Sequence, residues 1–161
     1  MPCRCKRTLL NVPENAEWGP AFWKVLHGLA QLAGHKTDPN MRRDEILHWK
    51  HLLKTLHTVL PCEECREHLV SYVKHNPIDI PENYEMVGSY LRLWVYLLHE
   101  DVNRRLGKPS FLYDQLANDP EHKQSFAILQ IIMKRAVVSS AVHILEWTKW
   151  SNNVRILMGM Y

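Results

Sequence analysis

Two cysteines three residues apart, in Leu60-Pro61-Cys62-Glu63-Glu64-Cys65-Arg66, are the residues of this chain best suited to chemistry. Pro61 and the acidic pair behind it mark the first turn of a helix. There the unsatisfied N–H groups and the helix dipole favour a thiolate, the form that attacks a disulfide or binds a metal. A second close pair, Cys3 and Cys5, brings the cysteines to 4. Grouped in this way they cannot staple distant loops, which points to redox or metal chemistry and away from a secreted disulfide scaffold. Both chemistries stay open: a redox dithiol, or zinc held by four sulfurs from C-x-C and C-x-x-C. Against zinc, C-x-C is cramped for a knuckle, and both pairs would have to meet. No βαβ pattern surrounds the motif, so a thioredoxin-like domain is excluded.

A second constellation is spread over two segments of helical period. Trp23 and His27 lie four apart in one, His99 and Asn103 four apart in the other, with Arg105 and Lys108 near its end. A Trp/His face opposed to a His/Asn face with cations nearby suits a flat aromatic ligand bearing phosphates. Spacing alone names no cofactor. His48, His51 and His57 sit among lysines and arginines and read as a solvated face, so no metal site is expected.

The elements that must position these residues follow from apolar spacing. Phe22, Val25, Leu26, Leu29 and Leu32 form one stripe, with a helix start at Trp18-Gly19-Pro20 and a stop at Gly34. Ile46, Trp49, Leu53, Leu56 and Leu60 form the second, broken by Pro61. Leu69, Tyr72 and Val73 turn inward in the third, which ends at Asn76-Pro77. Tyr84, Val87, Leu91, Trp94, Leu98, Val102 and Leu106 form the fourth, closed by Gly107 and Pro109. A last segment, from about residue 121 to 150, is read as one helix. No strand or repeat is evident. The fold class is all-α: a four-helix bundle with an additional C-terminal helix.

With 161 residues, 46% hydrophobic and 23% charged, the chain suits one domain with a real core. The net charge of +3 without a long Lys/Arg run makes nucleic acid an unexpected partner. No apolar run reaches the roughly 20 residues of a membrane span. Residues Met1 to Arg7 lack the apolar core of a signal peptide.

Three motifs in order, W-G-x-x-F-W-x-x-L-H, P-C-E-E-C-x-E-x-L and L-H-x-x-V-N-R-R-L-G-K-P-x-F, resemble the Erv/ALR family of FAD-dependent sulfhydryl oxidases. The resemblance runs from about Glu17 to Tyr113. It implies FAD held between the helices of the bundle beside the C-x-x-C. By that likeness Gly19, Trp23 and His27 contact FAD from the first helix. His99, Val102, Asn103, Leu106, Lys108 and Phe111 contact it from the fourth helix and the loop behind it. Cys65 is then the cysteine next to the flavin, and Cys62 the one attacked by incoming thiols. The implied activity is disulfide formation in partner proteins, with electrons passing to FAD and then to O2 as H2O2. The implied partners are protein dithiols or a thioredoxin-like carrier, and a second copy in a homodimer.

The division expected from the likeness is a flexible arm over 1–16 carrying Cys3 and Cys5, an oxidase domain over 17–113, and a helical extension over 114–161. The arm pair has the character of an electron shuttle, with an intersubunit bridge as the alternative. Three departures stand out. Tyr96 occupies the place of a family cysteine, and no cysteine follows Cys65, so the family's structural disulfide is missing. Glu100 stands where Asn often follows the helix-four histidine. The chain also continues for about fifty residues past the last motif. A viral origin is the expectation, with host cytoplasm or virion as the location, or the mitochondrial intermembrane space for a cellular member. The alternative function is a zinc-stabilised helical adaptor.

Overall fold

A computed structural model describes residues 12–116 and 121–161, and within them the chain is all-α. Its six α-helices are α1 (Asn15–Leu32), α2 (Pro39–Thr55), α3 (Glu63–His75), α4 (Val87–Arg105), α5 (His122–Val138) and α6 (Ile144–Met160). Among the described residues no helix is long and apolar enough to cross a membrane.

Helix α1 starts a turn before the expected Trp18. Glu14 and Glu17 cap one another reciprocally, the Glu14 N–H donating to Glu17 Oε2 at 2.8 Å. That capping box sets the start, and Pro20 falls inside the helix, where it withholds a hydrogen bond from the Ala16 carbonyl. Trp18, Phe22, Val25, Leu26 and Leu29 are buried as one face. Gly34 takes φ +86, and a Cβ there would stand 2.6 Å from the Gly88 nitrogen. This glycine–glycine approach brings the end of α1 onto the start of α4.

Asp38 caps α2 by accepting from the Asn40 and Met41 amides. The expected stripe to Leu60 tightens after Thr55 into a 3-10 turn, Leu56–Val59, before Pro61 breaks it. At the far end of α4, the Lys108 N–H returns to the Asn103 carbonyl at 2.8 Å with Gly107 at φ +65, a left-handed cap that needs glycine. Leu106 sits at that cap and is 45% exposed rather than continuing the buried stripe.

The last segment is two helices rather than one. Ser140 adopts φ +62, and the Ala141 N–H reaches back to the Ala136 carbonyl at 2.9 Å, closing α5. His143 then caps α6 by accepting from Leu145 N–H. Helix α5 lies on α1 and α6 lies on α2. The α1–α5 approach is close: a Cβ at Gly28 would stand 2.4 Å from the His122 Cβ. Across the α2–α6 seam, Trp150 Nε1 donates to the Leu52 carbonyl at 3.1 Å and His48 meets Asn153 at 2.8 Å.

A buried carboxylate ties these layers together. Glu45 on α2 is fully buried and accepts from the Gly34 N–H and from the phenols of Tyr84 and Tyr161. Tyr161 in turn accepts from Trp49 Nε1 at 2.9 Å. Burial and the Glu45 contact push the Tyr84 phenol up to about 12 and Tyr161 higher still, so both stay protonated donors.

Candidate active site

Cys62 is the N-cap of α3 and is disulfide-bonded to Cys65 one turn on. Its Sγ accepts from the Cys65 N–H at 3.2 Å, so an orphan donor of the helix start points at sulfur. The loop before it is held by Arg66, whose Nη1 donates to the Leu60 carbonyl at 2.6 Å and the Ala141 carbonyl at 3.2 Å. The chain beyond α5 thus helps fix the approach to the cysteines.

The two sulfurs face different surroundings. Cys65 is 9% exposed and lines a cavity of about 710 Å³, whereas Cys62 is half-buried and is not among the lining residues. That volume lies within the usual range for a small-molecule or cofactor site. Apolar side chains from four elements make most of the wall: Trp18 and Leu26 on α1, Leu56 in the 3-10 turn, Leu69 on α3, Leu98 and Val102 on α4. Asn15, at the first position of α1, extends its amide to the disulfide, with Nδ2 3.4 Å from Cys65 Sγ and 3.8 Å from Cys62 Sγ.

At the polar end Trp23 stacks on His99, centroids 4.0 Å apart and planes within 9°. His27 Nε2 and His99 Nδ1 share one proton at 2.9 Å. Burial, with His99 beside it, pulls His27 down to about 3. Burial likewise pulls His99 down to about 4, and the cationic Lys108 acts in the same direction. Both imidazoles are therefore neutral near pH 7. Glu100 accepts from the Ser110 hydroxyl and from the Phe111 N–H at 3.3 Å, and so holds the loop that carries Lys108 and Phe111. Those bonds, the Ser110 one foremost, hold its carboxyl below the usual range. Tyr96 adds a second tether, its hydroxyl donating to the Phe111 carbonyl at 2.9 Å.

Gly19, Trp23, His27, His99, Val102, Asn103, Leu106 and Lys108 all line the cavity. Phe111 is absent from its wall and packs behind it, 4.7 Å from the His99 ring and edge-on to His27 at 6.0 Å. Cys3 and Cys5 lie outside the described residues. Sequence reasoning missed Asn15, Trp18 and the His68–Asp101 pair, closed at 2.9 Å, whose His68 lines the same wall. For Asn15 the capping box Glu14-x-x-Glu17 was the available signal, since it puts Asn15 first in the helix.

The donor set suits a flat aromatic molecule with phosphates. Trp18 Nε1 and Arg105 Nε, both on lining residues, are buried polar atoms with no partner among the described residues. Among the described residues outside its own helix, a Cβ at Gly19 would meet no atom within 4 Å, so no neighbouring element crowds that stretch of the cavity wall.

Comparison with known proteins agrees with this geometry. A relative from Invertebrate iridescent virus 3 is 31% identical over 94 residues, 57% of each chain. The FAD-linked sulfhydryl oxidase of African swine fever virus is 30% identical over 102 residues, 63% of this chain and 77% of that one. The FAD-linked sulfhydryl oxidase ERV1 of Oryza sativa subsp. japonica is 33% identical over 95 residues, 59% of this chain and 44% of that one. The match thus spans 57% of the iridescent-virus relative and under half of the rice relative. No solved structure matches the chain. The model of the Erv1 / Alr family matches residues 20–126, which include the disulfide, both histidines and the whole of α4, and the chain belongs to that family.

Proposed function

We propose that this chain is an FAD-linked sulfhydryl oxidase that forms disulfides in partner proteins. The observation that carries the reading is the Cys62–Cys65 disulfide with one sulfur on the wall of the cavity and the other half-buried outside it. FAD bound there would supply the two-electron acceptor for the reduced cysteines and the outlet to O2, with release of H2O2. Trp23, His27 and His99 would hold its flat part, Gly19, Val102, Asn103 and Leu106 the wall around it, and Lys108 its phosphates. Phe111 would support the His99 ring from behind.

The chain's own step is thiol–disulfide exchange. A substrate thiolate attacks Cys62 Sγ, the S–S bond breaks, and Cys65 departs as a thiolate. The second substrate thiol then attacks the mixed disulfide at the substrate sulfur. An oxidised substrate leaves, and two electrons stay on the cysteine pair. Cys62 suits the first role because it is the more open sulfur, and Cys65 suits the second because it faces the cavity. Cys3 and Cys5 are proposed as a shuttle delivering electrons to Cys62, and a homodimer is proposed from the family likeness. Host cytoplasm or virion remains the proposed location.

The zinc-stabilised adaptor is not favoured. The family match and the relatives are those of sulfhydryl oxidases, and Cys62 and Cys65 are bonded to one another.

The purified chain should be yellow, take up oxygen with a dithiol and release H2O2. Cys65→Ser should keep the flavin and lose turnover. A colourless protein that takes up no oxygen would overturn the reading. For the shuttle, Cys3→Ser with Cys5→Ser should slow turnover of protein substrates and spare small dithiols; equal slowing of both would reject it. Light scattering tests the dimer.

A further inference from the structure

We propose that Asn15 is the hydrogen-bond donor that receives Cys65 as a departing thiolate when the Cys62–Cys65 disulfide is opened. The proposal rests on the sulfhydryl-oxidase reading and adds to it a residue before the family match, which begins at residue 20. Its ground is a geometric asymmetry between the two sulfurs. Cys62 Sγ draws on the helix start, accepting the Cys65 N–H at 3.2 Å. Cys65 Sγ is more deeply placed, and among the described residues its donor is the Asn15 amide at 3.4 Å, which stands farther, at 3.8 Å, from Cys62 Sγ.

The amide is held where it can act. Asn15 is the first residue of α1, and the reciprocal Glu14–Glu17 cap fixes that turn. Glu17 is also gripped at 2.8 Å by Arg135 of α5, which pins the same turn from the outside. Pro13, just before the cap, is buried. The backbone that carries the donor is therefore set by α1 and α5, not by α3.

The chemistry follows from charge. A neutral disulfide sulfur is a weak acceptor, whereas a thiolate is a charged one, and hydrogen bonds to ionised acceptors are roughly twice as strong. Asn15 therefore gains most after the bond breaks. In the exchange a substrate thiolate forms a new S–S bond to Cys62, the Cys62–Cys65 bond breaks, and its electron pair leaves on Cys65 Sγ. A leaving thiol of lower pKa leaves faster. Of the lysines lining the cavity, Lys24 pairs with Glu121 at 3.0 Å and Lys108 acts on His99. Glu63 and Glu64 on the first turn of α3 oppose a thiolate, and Glu17 lies on the same turn of α1 as Asn15. Arg66 is committed to two backbone carbonyls, Arg105 of α4 meets Glu64 at 3.4 Å, and His68 meets Asp101. An uncharged donor stabilises the departing sulfur without offering a cation that would fix it as a permanent ion pair.

The test is the ionisation of Cys65 itself. In the full chain carrying Cys3→Ser, Cys5→Ser and Cys62→Ser, Cys65 is the single thiol, and its thiolate absorbance is titrated against pH. Asn15→Ala and Asn15→Leu should raise its pKa by roughly one unit. Asn15→Asp should raise it further, although an acidic residue in the first turn favours the helix and should not lower the melting temperature. A residue that merely shapes α1 would give the opposite ranking, with Asp harmless. In the otherwise unaltered chain, Asn15→Ala should also make the disulfide harder to reduce in a glutathione redox buffer. Coincident titration curves, or Asp indistinguishable from Asn, overturn the proposal. The titration requires neither flavin nor oxygen. Asn15 dependence in a chain without oxidase activity supports this inference while sinking the oxidase reading, and an active oxidase whose Cys65 ignores Asn15 does the reverse.

Discussion

Acid should unfold this protein through His27 before it reaches the carboxylates. The ring is 6% exposed, and burial drops its pKa from the ordinary 6.5 to about 3. A histidine depressed in the folded state binds fewer protons there than in the unfolded chain. Its contribution is thus fully present above pH 6.5 and is lost as pH falls towards the folded value. Between pH 7 and about pH 5 the unfolded chain gains nearly one proton that the folded chain refuses, a loss of roughly 2 kcal/mol. With a urea slope of about 2 kcal/mol per molar, the midpoint should fall by roughly 1 M. His99 adds to the loss with the same sign, and less, because it is more open to solvent. Glu17 and Glu100 are held below the ordinary 4.5, so their folded-state titration lies under this window. The assay is urea unfolding at a series of pH values for the wild-type chain and for His27→Gln, which can still bond to His99 and does not titrate. The pH slope should shrink in the variant. Equal slopes would refute the argument that burial keeps this ring neutral.

Three further outcomes follow from the packing. Tyr161→Phe removes the donor to Glu45 and the acceptor for Trp49 Nε1, leaving a buried N–H unpaired; it should cost about 2–4 kcal/mol in thermal unfolding while flavin content at low temperature is unchanged. Gly28→Ala forces a Cβ to 2.4 Å from the His122 Cβ and should cost about 1–3 kcal/mol by prising α5 from α1. Gly19→Ala adds a methyl group to the cavity wall and should weaken flavin binding, read as a smaller rise in melting temperature on adding FAD.

What the sequence conveyed and what it hid divide along the range of the interaction. The C-x-x-C, the W-x-x-x-H face and the H-x-x-x-N face are spacings within one helix, and period alone orients such residues. The helix-one start was misplaced because Pro20 is a loud local signal and a glutamate N-cap is a quiet one. The break after α5 was invisible because Ser139 and Ser140 are neither Gly nor Pro, and the apolar spacing runs on through Ile144. Glu45 reads as a surface residue on an amphipathic helix, since its partners Tyr84 and Tyr161 lie 39 and 116 residues away. Asn15 meets Cys65 across 50 residues, and no pattern near either announces the other.

By the likeness to the family a structural disulfide is missing here, and the two C-terminal helices pack against α1 and α2. A disulfide typically contributes about 2–4 kcal/mol. Helix α6 alone buries Trp150, Val154 and Leu157 completely, and each such side chain contributes about 1.5–3 kcal/mol relative to exposure, before the entropy of ordering the helix is counted. Tyr96, where the likeness would place a cysteine, tethers the loop locally by bonding the Phe111 carbonyl. Arg66 extends the same support to the loop before Cys62 by reaching Ala141 in the α5–α6 turn. The substitution matters for the chemistry as well as the fold. Thiolates attack whichever disulfide they can reach, and a structural disulfide near a site that works on thiols is a competing target. Under the proposed oxidase reading, holding the scaffold with packed helices leaves Cys62–Cys65 as the sole disulfide among the described residues, so exchange there would meet no decoy among them.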